Sequence, residues 1–225
     1  MADMNKLLGQ LLGSGAASGF AGGLAGGLAS SLLSGKKGRK MGFKALKLGG
    51  VAAVGAMAYT AYQRYSEKSG GAPAQQAAPT ELAPAPPGSA FMPRENDHAA
   101  NEALGLILVR AMIAVARADG RLDAEESQAI FQKIQSLGLD SESQALLVEE
   151  MGHPVDMDAI VNSATTPEIA AEIYTASLLA VEVDSAAEKA YLAMLAARLR
   201  LPAELIAEIE QQVASQKELA QENSE

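Results

Sequence analysis

The stretch from Leu104 to Leu139, LGLILVRAMIAVARADGRLDAEESQAIFQKIQSLGL, admits few folds. Leu104, Ile107, Leu108, Ala111, Met112 and Val115 recur at helical spacing, so their side chains form one apolar stripe that has to be buried against other helices. Asp119-Gly120 breaks the run. A second, amphipathic segment then starts on its own signal, because Asp123 followed three residues later by Glu126 reads as a capping box. It stops at Gly138.

Signals of this kind recur at helix-length intervals to the end of the chain. A first helix is expected from about Asp97 to Ala118 and a second from Asp123 to Leu137. Asp140 or Ser141 caps a third that ends at Gly152, and a short one runs from Asp156 to about Ala164. Thr166 caps the next, with Pro167 in its first turn. Ser185 and Glu188 form another capping box for a helix to about Leu199, and Pro202 opens a last helix that fades after Leu219. Strand signals are absent. Glu126–Glu142 and Glu188–Glu204 align without gaps, which suggests a weak internal duplication of a helix-turn-helix pair. With 4% aromatic residues and no Trp, the core must come from Leu, Ile, Val, Met and Ala, a palette suited to packed helices. The reading for residues 97–222 is an all-α, compact helical bundle.

Charge divides the chain unevenly. Residues 1–72 hold nine Lys/Arg against two acids, a net of +7, and residues 73–225 hold nine against 25, a net of −16. An acidic body argues against nucleic-acid binding, which needs clustered Lys/Arg on phosphates. The absence of Cys excludes disulfides and thiol chemistry.

The basic head points instead to a lipid bilayer. Residues 1–42 are a Gly/Ala-rich, low-complexity segment with a basic cluster at Lys36, Lys37, Arg39 and Lys40. The uncharged stretch 7–35 carries several small-xxx-small pairs among Gly9, Gly13, Gly15, Gly19, Gly22, Gly23, Gly26 and Gly27. In a membrane such pairs allow close helix packing and self-association; in water the stretch reads as a flexible tail. Residues 43–65 read as a transmembrane helix: Leu48–Tyr62 is uncharged, Lys44 and Lys47 can snorkel, and Tyr59, Tyr62 and Tyr65 gather at the far end. A membrane-surface or buried helix is the rival reading. Seven basic residues precede the segment and two, Arg64 and Lys68, follow closely, so a single span puts the body on the far, periplasmic side. If residues 7–33 also insert, the body returns to the cytoplasm. Residues 66–96, with Pro73, Pro79, Pro84, Pro86, Pro87 and Pro93, read as an extended, flexible tether.

Candidate chemistry is sparse. Asp119, Asp123, Glu125 and Glu126 crowd one turn, and hard cations need such converging carboxylates. An EF-hand loop fails there, since its sixth position is Ala124 and its twelfth Ile130. Helix capping accounts for Asp123 and Glu126 without a metal. His98 and His153 read as surface or capping residues. No catalytic residues, no cofactor and no phosphate or dinucleotide glycine motif emerge.

Ala116-Arg-Ala-Asp-Gly120 followed by Glu126 resembles the A-x-ADG-x5-E signature of TerB-like domains, named for a tellurite-resistance protein. The wider layout is similar to the YebE-type inner-membrane family of unknown function. The Gly-rich start, Lys47-Leu48-Gly49-Gly50, Ala187-Glu-Lys-Ala-Tyr-Leu192 and Leu195-Ala-Ala-Arg-Leu199 carry that likeness. The resemblance covers roughly residues 41–66 and 97–215. It implies a TerB-like helical fold at a bacterial inner membrane, with no established activity. It also implies divalent-cation binding at Asp119, Asp123 and Glu126. The second repeat departs from the pattern, since Asp184 lacks a following Gly and only Glu182 and Asp184 stand where the acidic turn would be. The expected function is a non-enzymatic, membrane-anchored module that binds an unidentified protein partner, in an envelope stress response. Cation binding or sensing at the Asp119 turn is the alternative.

Overall fold

Helix α5 (Pro167–Ala180) lies at the centre, because apolar residues line it all round: each residue from Ala170 to Ala180, Glu172 included, is buried. Its two aliphatic hydroxyls do not spoil this, since Thr175 Oγ1 donates to Ala171 O at 2.7 Å and Ser177 Oγ to Ile173 O at 2.9 Å. The computed structural model describes residues 50–69, 84–94, 96–118, 141–181, 183 and 185–222, and they are all-helical, with no strands. The described helices are α1 (Gly50–Ser69), α2 (His98–Ala116), α3 (Ser141–Gly152), α4 (Met157–Ser163), α5, α6 (Ala186–Arg198) and α7 (Ala203–Glu222). Helix α2 packs along α5, with α3 and α4 against α2, α6 against α5, and α1 across both α5 and α7.

Thr166 and Ser185 cap where the sequence put caps, and Asp97 and Asp156, expected only as helix starts, cap as well. The carboxylate of Asp97 accepts from Ala100 N at 3.1 Å, that of Asp156 from Ala159 N at 2.9 Å, and the hydroxyl of Thr166 from Ile169 N at 3.3 Å. Ser185 and Glu188 close a reciprocal capping box. The second helix expected from Asp123 to Leu137, and with it most of one half of the proposed duplication, lies outside the described residues.

Two of the expected segments fall partly within the described residues. Of residues 43–65, read as a bilayer span, 43–49 lie outside the described residues and 50–65 are helical and form a strut of the bundle. Val51, Val54, Ala56, Ala58 and Ala61 are essentially inaccessible to solvent. Gly and Ala leave α1 with a flat surface that sits as closely on α5 as it would on a helix in lipid. Among the described residues one helix is long and apolar enough to cross a membrane, and it is α2, packed against the central α5 and 56% buried inside the fold. The tether expected over 66–96 is described only in part, at 66–69, 84–94 and 96. Helix α1 continues to Ser69, and residues 84–94 make a tight corner in which Gly88 N donates to Met92 O at 2.8 Å. Phe91 anchors that corner by stacking edge-on against Tyr59 and Tyr62, with ring centroids 5.6 and 5.4 Å apart. Among the described residues the bundle therefore takes in α1 as well as the helices that follow residue 97.

Candidate functional site

An open cleft of about 200 Å³ runs between α2, the end of α3, and α4. Its floor is apolar, built from Ile107, Ile113 and Ala114 on α2 and Ile160 on α4, with Val155 exposed at the rim. Arg110 reaches across it from an otherwise apolar helix and binds Glu150 bidentately, Nε to Oε2 at 2.7 Å and Nη2 to Oε1 at 2.8 Å. The Arg110 guanidinium holds the buried Glu150 carboxyl below the usual carboxylate range, against the opposing effect of burial. His153 Nδ1 lies 3.8 Å from Glu150 Oε2. Arg117, which caps α2, ties the two sides together: its Nη1 donates to Met151 O at 2.9 Å and to His153 O at 2.7 Å.

This arrangement does little chemistry of its own. Both Glu150 oxygens are engaged, so the carboxylate is neither a free base nor an open metal ligand. An apolar floor with charges at its edge suits an apolar side chain or helix face from another molecule.

The second unusual place is sealed rather than open. Glu172 sits in the middle of α5 at 0% exposure, and neither carboxyl oxygen has a hydrogen-bond partner among the described residues. Burial, reinforced by the neighbouring charge of Glu168, pushes its pKa well above the usual range. Helix α1 covers it at Gly55, where a Cβ would lie 2.9 Å from Glu172 Oε1 and 2.6 Å from the carbonyl oxygen of Phe91. Only a residue without a side chain fits there. A buried carboxyl with no partner is costly and calls for an explanation.

The carboxylates singled out from sequence, Asp119, Asp123 and Glu126, lie outside the described residues, as do Glu125, Glu182 and Asp184. Among the described residues no group of three or more His, Cys, Asp or Glu side chains could hold a metal ion. Sequence reasoning passed over Arg110 and Glu172, although each is a lone charge inside an apolar run, which is a readable signal. Glu150 and Gly55 had no such mark, since their roles depend on partners distant in the chain.

The chain matches, over residues 6–213, the model of a family described as a protein of unknown function, DUF533. It is 27% identical over 111 residues to an uncharacterized protein in the ampR 5′ region of Yersinia enterocolitica, covering 49% of this chain and 80% of that relative. No solved structure matches.

Proposed function

The chain belongs to the DUF533 family of unknown function, and from that premise we propose a non-enzymatic, membrane-anchored helical module that binds a partner protein at the bacterial inner membrane. The burial of α1 in the bundle carries this reading. That helix directly follows the basic cluster Lys36–Lys47, so a head attached to lipid would hold the bundle against the same surface. The family match runs through head and bundle alike, which supports treating them as one unit. With α1 docked, the uncharged stretch 7–35 is the segment left to enter the bilayer, and the basic cluster stands between it and the bundle. Cluster and bundle then share the cytoplasmic face. The partner would meet the bundle at the cleft between α2 and α4, through an apolar helix face. A TerB-like arrangement and a role in envelope stress fit this reading.

Three measurements test it. The full chain should fractionate with membranes and resist a high-salt wash, and a cytoplasm-dependent reporter fused after Glu225 should be active; a wholly soluble chain, or activity only outside the cytoplasm, overturns it. A photo-crosslinker at Val155 should trap one protein product that disappears with Ile107→Asp, while the same probe at exposed Met194 traps none. The second reading is a divalent cation held by Asp119, Asp123 and Glu126. It is favoured by the way Arg117 pins the end of α2 two residues before that turn. Calorimetry with calcium, magnesium and zinc that stays silent for the full chain ends it.

A further inference from the structure

We propose that α1 is a detachable helix: Glu172, sealed beneath Gly55, limits its docking, and the released helix lies in the interface of an anionic lipid bilayer. The proposal rests on the membrane-anchored reading above.

The covalent chain allows the movement. Fourteen residues separate Ser69 from Pro84, enough to reach about 45 Å when extended, so α1 can leave without pulling the bundle apart. The helix is equipped for lipid. Its buried residues Val51, Val54, Met57, Ala58 and Ala61 are apolar, Tyr62 and Tyr65 follow them, and Arg64 and Lys68 supply cationic groups. Once α1 is free, the side chains now covered by α5 and α7 would be the ones covered by acyl chains.

What makes docking conditional is the absence, among the described residues, of a counter-charge on Glu172. From α1, Gly50–Ala58 contribute no ionisable group, and Lys68 is taken by Glu208 of α7. The corner 84–94 offers the Phe91 carbonyl, itself an acceptor, and Arg94, whose side chain lies over Gly88. On α2, Arg110 is held by Glu150, while His98 and Glu102 stand at the helix start. Helix α6 brings Glu188, committed to its capping box, together with Lys189, Tyr191 and Arg198, the last paired with Asp158. On α7, Glu204 stands in the first turn, Glu210 accepts from Tyr174, Lys217 donates to the Leu178 and Val181 carbonyls, and Glu218 lies one residue beyond. The charge that acts on Glu172 is that of Glu168, one turn earlier on α5 and of the same sign.

Docking is therefore strongest while Glu172 is protonated. Because its docked pKa is raised, docking is complete below the ordinary carboxylate range and weakens as pH climbs through the raised value. Ionisation drives water toward the carboxylate, and only movement of α1 admits it.

The chain has no Cys, so spin labels at Glu67→Cys and Gln211→Cys, both exposed, report the separation of α1 from α7. With the full chain on phosphatidylglycerol-containing vesicles, the short, docked distance should dominate below the ordinary carboxylate range and lose about tenfold in population as pH climbs through the raised value. A depth-sensitive fluorophore at Gln63→Cys, an exposed position of α1, should move into the lipid interface over the same range. Glu172→Gln should stay docked throughout, and Gly55→Ala, which collides with the Phe91 carbonyl, should be released throughout. A wild-type distance that ignores pH, or the same pH dependence in Glu172→Gln, overturns the proposal. If the chain still floats with the vesicles in that case, the membrane-anchored reading stands; a chain that floats at no pH overturns both.

Discussion

Arg200 ends α6 with φ at 55°, in the left-handed region that side chains other than glycine rarely adopt. The geometry is a Schellman closure: Leu201 N donates to Ala196 O and Arg200 N to Ala197 O, both at 3.1 Å. Leu201 packs against the core cluster that contains Ala196, which holds the turn despite its strain. Arg200→Gly should therefore stabilise the chain by roughly 0.5–1 kcal/mol. A rise of about 2–4 °C in thermal midpoint would register it, and a fall would refute it. Gly55 marks the opposite case, where a glycine is required by closeness rather than by dihedral angle. The end of α6 near Leu199 could be read from the chain, but the left-handed arginine that closes it could not, because glycine is the usual signal.

At the scale of elements, the helices announce themselves through their caps and their pairing does not. The capping contacts of Asp97, Asp156, Thr166, Ser185 and Glu188 act over three residues, so sequence spacing suffices to find them. Arg110 and Glu150 lie 40 residues apart, and only packing joins α2 to α3 through them. Arg110→Ala removes both hydrogen bonds and leaves the Glu150 carboxylate buried, which should cost about 1–3 kcal/mol in urea unfolding. Adding Glu150→Leu should recover much of that loss, because it removes the orphaned charge. The lowered Glu150 pKa contributes stability above the ordinary carboxylate range that is lost as pH falls through the lowered value, so Arg110→Ala should flatten that acid limb. Equal losses in the single and double variants would show that the pair does not share its energy in this way.

For the whole molecule, α1 decides what the bundle is. Val51, Val54 and Met57 each contribute on the order of 1.5–3 kcal/mol of burial, offset in part by the cost of sealing Glu172. A fragment of residues 70–225 should unfold at a lower temperature than the full chain and bind a hydrophobic dye. The gap between the two should be wider below the ordinary carboxylate range than above the raised Glu172 value, since docking loses stability as pH rises through it. Equal stability of fragment and full chain at both pH values would remove α1 from the core. By itself the sequence determined the helical class and the limits of most described helices, because periodicity and capping are local. It also marked residues 48–62 as an uncharged apolar helix in want of cover, whether from lipid or from protein. Tertiary structure alone decided that α5 and α7 supply that cover, with Glu172 enclosed beneath it. Lipid and a packed helical interior make the same demand on a stretch of Gly, Ala and Val, so its composition cannot choose between them; contact across more than a hundred residues can.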